Sequence, residues 1–444
     1  MGRFDNDLFF GIVLILVFAA LGSFLITLTR EHYQTRYEQI KLFLCALGVR
    51  FAASIAIYEF GLVRVLGDED SSGWWSGLGL AHEWSHRHVS LLDLPGILAG
   101  AYEGHHQGYG YLVGALFYLT DSPARLPAAA LNCFFGAMTV VFVYRIAVSL
   151  FSRWTAVRAG WLACFFPSLI IWSSQTLKEP IVILLETVAL YACVQLKLSG
   201  FSLRYILLCV SAILLLPPFR FYAAYLAGAS ALMALAIPQL SKGKYSIRSA
   251  LAVSALVVPL VVSSGFLARS EAQFERFSRL RDIETFRINI ATGTGSGVEN
   301  KYDLNTPSGL VLGTAVGAAH LLLAPFPWQL GGGSLRMVLT APELLVWWWL
   351  VFVGLIPGMW YVCRTRFNEI QPMLFFILGL GLLYSMMFGN VGLIFRQRAQ
   401  LLPLLLIIAV VGLEQRAIRK LLKQRLEFGS PPPPRIEQVP QSGD

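Results

Sequence analysis

The sequence predicts an all-α polytopic integral membrane protein, and three observations carry that prediction. Hydrophobic residues make up 56% of the 444 and charged residues only 14%. Mean hydropathy is +0.62. The apolar residues are gathered into runs of about 20, the length a helix needs to cross the hydrocarbon core of a bilayer. No ordinary soluble domain combines these features.

On that ruler the chain holds about 11 crossings, over 8–29, 42–66, 127–150, 156–174, 180–197, 204–218, 221–238, 248–267, 342–362, 372–389 and 399–414. The first run, FFGIVLILVFAALGSFLITLT, exceeds a signal-peptide core and lacks a small-residue cleavage site, so it is expected to stay as a membrane helix. The net charge of +9 could suggest nucleic acid. The basic residues, however, sit in short clusters between apolar runs, as membrane topology requires.

Loops holding Arg30, Arg36 and Lys41, then Arg153 and Arg158, Lys197 and Arg204, Lys242, Lys244 and Arg248, and Arg364 and Arg366 are therefore assigned to the cytoplasm. The tail after Arg416, Arg419, Lys420, Lys423 and Arg425 joins them, and the N-terminus faces outside. Residues 67–126 and 268–341 then become external. Within the second, GLVLGTAVGAAHLLLAPFPWQLGGG is apolar but broken by Pro325, Pro327 and three glycines, so it reads as re-entrant or interfacial. Trp347–Trp349 and PFPW read as interface belts. Cys45, Cys133, Cys164, Cys193, Cys209 and Cys363 lie within or at the edge of apolar segments without metal-type spacing and are expected to pack, not to bridge.

The first external loop concentrates the chemistry. GDEDSSGWWSGLGLAHEWSHRH, residues 67–88, holds four acids, three histidines and three tryptophans. Asp68, Glu69 and Asp70 fit a solvated helix cap. Followed at once by Trp74 and Trp75, whose rings can stack on a sugar, they also suit a general base that deprotonates an acceptor hydroxyl. Asp68 and Asp70 could hold a divalent ion such as Mg or Mn through oxygen. The same stretch contains His82-Glu83-Trp84-Ser85-His86, an H-E-x-x-H spacing that places two imidazoles on one helix face for Zn with Glu83 as base, Glu103 or His88 being a candidate third ligand. Five of the seven histidines, His82, His86, His88, His105 and His106, share this loop, which also fits a hydrogen-bonding substrate surface.

Other charges stand at membrane depth, where they are costly. Lys178-Glu179 opens a helix after FFPSLIIWSSQTLKEP, Arg220 sits in LLLPPFRFYAAYL, and Arg396 and Arg398 fall at the outer end of the last helix. Singly, each arginine could snorkel to lipid phosphates. Together, near a loop of carboxylates, Arg220, Arg396 and Arg398 read as a clamp for a phosphate-bearing substrate. Glu186 is expected to line the same cavity or to pair with a neighbour.

These pieces resemble the GT-C superfamily of membrane glycosyltransferases, the group containing protein mannosyltransferases and aminoarabinose transferases. The resemblance covers roughly residues 60–235 and 385–415. It rests on the external acids, then HHQGYGYLVGALFYLTDSPARLPAAALNCFFGAMTVVFVYRIAVSLF with Gly108-Tyr109, Asn132, Tyr144-Arg145 and Phe151. Pro167, Glu179 and the closing FRQRAQLLPLLLII with Arg396, Arg398 and Pro403 complete it. An extra N-terminal helix precedes the one leading to the acids, and the spacing of the acids leaves the family position to Asp70 or Asp68.

The resemblance implies a donor sugar on a polyprenyl or dolichyl phosphate and transfer at the outer leaflet to a lipid, glycan or protein acceptor; a bacterial inner membrane is the default location, since no retention signal or N-glycosylation pattern points elsewhere. It implies an acid of the first external loop as base. Trp74, Trp75, His105, His106, Tyr109, Lys178 and Glu179 become the expected substrate contacts, and no nucleotide is needed. A polysaccharide polymerase or ligase with a lipid-diphosphate donor would use the same arginine clamp. From other classes, a zinc metalloprotease built on His82 and His86 and a transporter remain open; the latter wants broken helices and intramembrane acids. The resulting plan is a transmembrane hairpin over 1–66, an external catalytic loop with interfacial helices over 67–126, and a GT-C-like transmembrane core over 127–267. An external loop with the re-entrant segment over 268–341, C-terminal helices over 342–427 and a disordered cytoplasmic tail over 428–444 complete it.

Overall fold

The computed structural model describes residues 2–29, 33–63, 73–90, 92–100, 108–121, 123–199, 202–236, 279–292, 296–298, 301–330 and 341–427. Among them the chain is all-α, the one β feature being an isolated bridge between Gly297 and Asn390. Among the described residues, seven helices are long and apolar enough to cross a membrane, or eight if the bent pair Arg153–Phe165 and Pro167–Ser173 forms one span. The predicted spans at 204–218 and 221–238 become a 13-residue helix and a kinked 20-residue helix, and the predicted span 248–267 lies outside the described residues.

In chain order, α1 (Gly2–Thr27) and α2 (Tyr33–Glu59) form the N-terminal hairpin. Then come three shorter helices, α3 (Gly73–His86), α4 (Leu94–Ala99) and α5 (Gly108–Thr120). The core begins with α6 (Arg125–Leu150), α7 (Arg153–Phe165), α8 (Pro167–Ser173) and α9 (Glu179–Ser199), and continues with α10 (Leu203–Leu215) and α11 (Pro217–Ala236). After these stand α12 (Leu280–Ala291), α13 (Pro307–Leu323), α14 (Pro327–Leu330) and α15 (Ala341–Trp349). A π turn (Leu350–Leu355), α16 (Ile356–Thr365), α17 (Phe367–Met386) and α18 (Val391–Glu427) close the chain.

The centre of the bundle is α6. Its apolar window is 89% buried against 17% for α1, which therefore keeps a wide face for lipid. Ala128, Ala129, Ala130, Cys133 and Ala137 are fully buried along α6, so small side chains let α2, α7 and α9 approach it closely. At the other side, α18 crosses the segment 350–365 at a contact made by glycines. A Cβ added to Gly412 would lie 1.9 Å from the Gly354 carbonyl oxygen, and one added to Gly358 would lie 2.1 Å from that of Ile408.

Two interruptions break the regularity of the bundle. The α7/α8 pair bends by 55° at Phe166-Pro167, where the proline has no N–H to continue the ladder. In α11, Arg220 leaves helical geometry with φ −154° and ψ 95°. The segment read as re-entrant contains α13, a 17-residue apolar helix packed on α17 and α18. The expected interface tryptophans are partly internal: Trp347 is buried and donates to Leu322 O, and Trp348 donates to Leu323 O at 2.8 Å. They cap the carbonyls that α13 leaves unpaired, and only Trp349 of the three is exposed.

The Gly354/Gly412 crossing gives a test. Gly412→Ala should cost about 1–3 kcal/mol as overpacking against backbone, read as a lower unfolding temperature of the detergent-solubilised protein. Gly228→Ala, with nothing within 4 Å of its added Cβ, should leave the temperature unchanged.

Candidate functional site

At the end of the bundle where α9 begins, several chain segments converge. Gly73 opens α3 against Tyr109: its added Cβ would lie 2.6 Å from that ring and 3.2 Å from Thr176 O. Gly108 opens α5 in the same way, with its Cβ position 2.5 Å from Pro218 Cβ of α11. The turn between α8 and α9, residues 174–178, is held from both sides. The buried Asn132 amide donates to Tyr109 Oη at 2.8 Å, to Leu177 O at 2.8 Å and to Gln175 O. From α2, Ser54 Oγ donates to Ser174 O at 2.8 Å, and Thr176 N donates to Tyr58 Oη at 3.3 Å.

This turn delivers Glu179 into a buried ion cluster. Its Oε1 accepts from Arg220 Nη2 at 2.9 Å and its Oε2 from Arg396 Nη2 at 2.6 Å. The Glu179 side chain is 1% exposed, so the carboxylate is bridged by two guanidiniums out of water, a strong charge-assisted geometry. Arg220 reaches it from the point where α11 departs from helical geometry. The other nitrogen, Nη1, donates to Tyr222 Oη at 2.6 Å and Tyr384 Oη at 2.9 Å. Gln400 extends the network: turned so that its amide nitrogen faces Glu186 Oε1 at 3.0 Å, its oxygen accepts from Arg220 at 2.8 Å. Arg396 also lies over the buried Trp172 ring, 5.7 Å from its centroid.

Lys178 stands beside this cluster, just outside the spans. Burial, and then the Arg220 and Arg396 charges, pull its ammonium down to about 8, with Glu179 opposing.

The structure thus brings together the Lys178-Glu179 pair and two members of the expected arginine clamp, Arg220 and Arg396. Arg398 does not join them. It is 1% exposed, donates to Ala324 O at 2.8 Å and lies 3.8 Å from Glu343. Its guanidinium thus faces the C-terminus of α13, so a role on lipid phosphate beside Arg396 has no geometric support.

Trp74 and Trp75 meet edge to face at 4.6 Å on α3, with Trp75 exposed and Arg125 over the Trp74 ring at 5.1 Å. Tyr109 is buried as part of the Asn132 scaffold, not as an open contact. Asp68, Glu69, Asp70, Glu103, His105 and His106 lie outside the described residues. His82 and His86 occupy α3 and are exposed, and Glu83 between them is paired with Arg87 at 2.8 Å. Among the described residues no three His, Cys, Asp or Glu side chains gather as metal ligands.

Residues the sequence reading passed over are Tyr222, Tyr384, Gln400 and Glu343, together with Arg50, which is 1% exposed in α2. Each is a polar side chain inside an apolar run, the signal that flagged Glu186. Comparison of the chain with protein-family models and with curated proteins finds no match.

Lys178 yields a pH prediction. Because its folded-state value of about 8 lies below the ordinary 10.5, the unfolded chain binds more protons between those values, and stability rises with pH across that window. Below pH 8 the cost of the buried ammonium is full and constant. Reductive ¹³C-methylation and NMR titration should find one lysine with a midpoint near 8 that is missing in Lys178→Met. A Lys178 midpoint above 10 would contradict the buried setting.

Proposed function

We propose that the chain is a membrane glycosyltransferase of the GT-C type. It moves a sugar from a polyprenyl-phosphate-linked donor to a lipid, glycan or protein acceptor at the outer face of a bacterial inner membrane. In this reading the chain crosses the membrane about 11 times, the length of each apolar run setting the count.

The observation that carries the reading is the cluster of Arg220, Arg396 and Lys178 around Glu179 at a helix break. Three cations from three elements, two of them guanidiniums able to bind phosphate oxygens bidentately, suit a leaving group on which negative charge grows. Gly73, which follows Asp70 by three residues in sequence, abuts Thr176 two residues before Lys178. That neighbourhood supports a pairing of the acids with the cations. Asp70, or Asp68 or Glu69 in its stead, takes the acceptor's hydroxyl proton as the oxygen attacks the anomeric carbon. The carbon–oxygen bond to the lipid phosphate breaks on the opposite face, and the electron pair leaves with the phosphate toward Arg396 and Arg220. Trp75, exposed on α3, offers a stacking face for a sugar.

A second reading, transport of an anionic solute, is favoured by specific observations. The α7/α8 break, the kink at Arg220 and the buried acids Glu179, Glu186 and Glu343 are features of transporter sites.

The test is mass spectrometry of surface glycans and lipid-linked sugars in a deletion strain complemented with wild type or variants at matched expression. Asp70→Asn or Asp68→Asn should lower transfer by about 10²–10⁴-fold, and Arg396→Gln by roughly 10²-fold. A His82→Ala/His86→Ala variant should stay active. A glycome unchanged by deletion would refute transfer; if the sidedness of a lipid-linked sugar changed instead, transport would take its place. Activity lost only with the histidines would point to zinc chemistry.

A further inference from the structure

The last helix is longer than a membrane requires. In α18, buried residues run from Val391 to Gly412, about 33 Å at 1.5 Å per residue, which already matches the hydrocarbon core. The helix leaves the bundle at Glu414, whose carboxylate accepts from Thr155 Oγ1 at 2.5 Å and from Ser152 Oγ at the start of α7. Beyond it, residues 416–427 continue the same helix and are all exposed. That is about 18 Å of helix outside the core.

This extension is amphipathic and basic. Ile418, Leu421, Leu422 and Leu426 are 42%, 59%, 43% and 82% exposed, and at 100° per residue they fall within one arc of the helix surface. Arg425 stands within that arc, Arg419 flanks it, and Arg416, Lys420 and Lys423 occupy the opposite side. Over 416–427, five basic residues against Glu427 give a net charge of +4. Lys423 and Glu427 pair loosely at 3.8 Å. Ala, Leu, Arg, Lys, Gln and Glu, which fill most of the segment, are the strongest helix formers, so the span above it can propagate helix outward.

Three occupants could cover the apolar arc. A second copy would set Arg419 and Arg425 against their own counterparts, with +4 on each helix, a like-charge arrangement that opposes pairing. A lipid surface would need the helix to lie flat. The segment instead continues α18 without a break, and about 18 Å exceeds the ~7 Å that the headgroup region adds on each side of the core. An acidic helix with an apolar face satisfies both the arc and the charge.

We infer that residues 416–427 of α18 form a docking surface for an acidic amphipathic helix of another protein on the side of the membrane where α18 emerges. Apolar contact comes from Ile418, Leu421, Leu422 and Leu426, and charge selection from Arg419 and Arg425. The surface stands apart from the Glu179 cluster and does not depend on the reaction proposed for it.

The experiment uses the full chain in nanodiscs and two synthetic stapled helices with the same leucine face, one flanked by glutamates and one by lysines. Fluorescence anisotropy should show the acidic helix binding wild type and the basic helix not binding. Leu421→Ser/Leu422→Ser should weaken binding at least tenfold. Arg419→Glu/Arg425→Glu should exchange the preference, a result that simple unfolding of the segment would not give. A spin label at Gln424→Cys in the same discs distinguishes the other occupants. No binding of the acidic helix, burial of the label in phosphatidylglycerol discs, or concentration-dependent label–label distances between copies would each overturn the proposal.

Discussion

The constraint on which the rest depends is the break at Phe166-Pro167, inside a bundle where backbone groups cannot turn to water. Ending α7 and restarting as α8 frees carbonyls at one end and N–H groups at the other. Both sets are met by buried charges. Arg50 donates to Ala163 O and Cys164 O, each at 3.1 Å, and Glu343 accepts from Ser168 N at 2.6 Å. Cation at the C-terminus and anion at the N-terminus are the signs that the helix dipole favours. Losing either partner would leave unpaired backbone in a medium that offers no substitute.

Because the break is fixed in this way, the turn after it is fixed too. Ser174 Oγ donates to Arg50 O at 2.9 Å, so the same residue that caps α7 also steadies the segment leading to Glu179. Asn132 supplies the second anchor from the central helix. Glu179 therefore arrives at Arg220 and Arg396 on a rigid mount. Removing one guanidinium would strand charge in a buried setting and would be far more damaging than replacing the whole cluster by apolar residues. Such clusters are poor stabilisers, and their presence fits a demand other than stability.

The sequence made the class and most of the helices legible because apolar runs of fixed length leave little freedom in a membrane. Eight of the eleven predicted spans coincide with a helix, or with the bent pair Arg153–Phe165 and Pro167–Ser173, that is long and apolar enough to cross a membrane. It also exposed Lys178, Glu179, Arg220 and Arg396, since a charge inside such a run has no cheap explanation. Partners that carry no net charge were harder to find. Tyr222, Tyr384 and Gln400 are ordinary at membrane interfaces, and nothing local says that they share one guanidinium. Arg50 and Glu343 are charges inside apolar runs as well, but their hydrogen bonds go to backbone atoms of Ala163, Cys164 and Ser168, so no side-chain pattern reports what they do. Trp347 and Trp348 misled for the same reason: an indole that caps a carbonyl looks, in sequence, like one that marks an interface.

Arg396 and Arg398 show how far residue type alone can be trusted. Two residues along an α-helix rotate a side chain by about 200°, so adjacent arginines in F-R-Q-R necessarily face opposite ways. Arg396 turns to Glu179 and keeps 18% of its side chain exposed, while Arg398 turns to Ala324 O and Glu343 and keeps 1%. The second fastens α13 and α15 to α18 and holds that helix in rotation. With the rotation fixed, the first is directed toward Glu179. A clamp built from both arginines would need the helix to present two faces at once; the fold instead uses one arginine to aim the other.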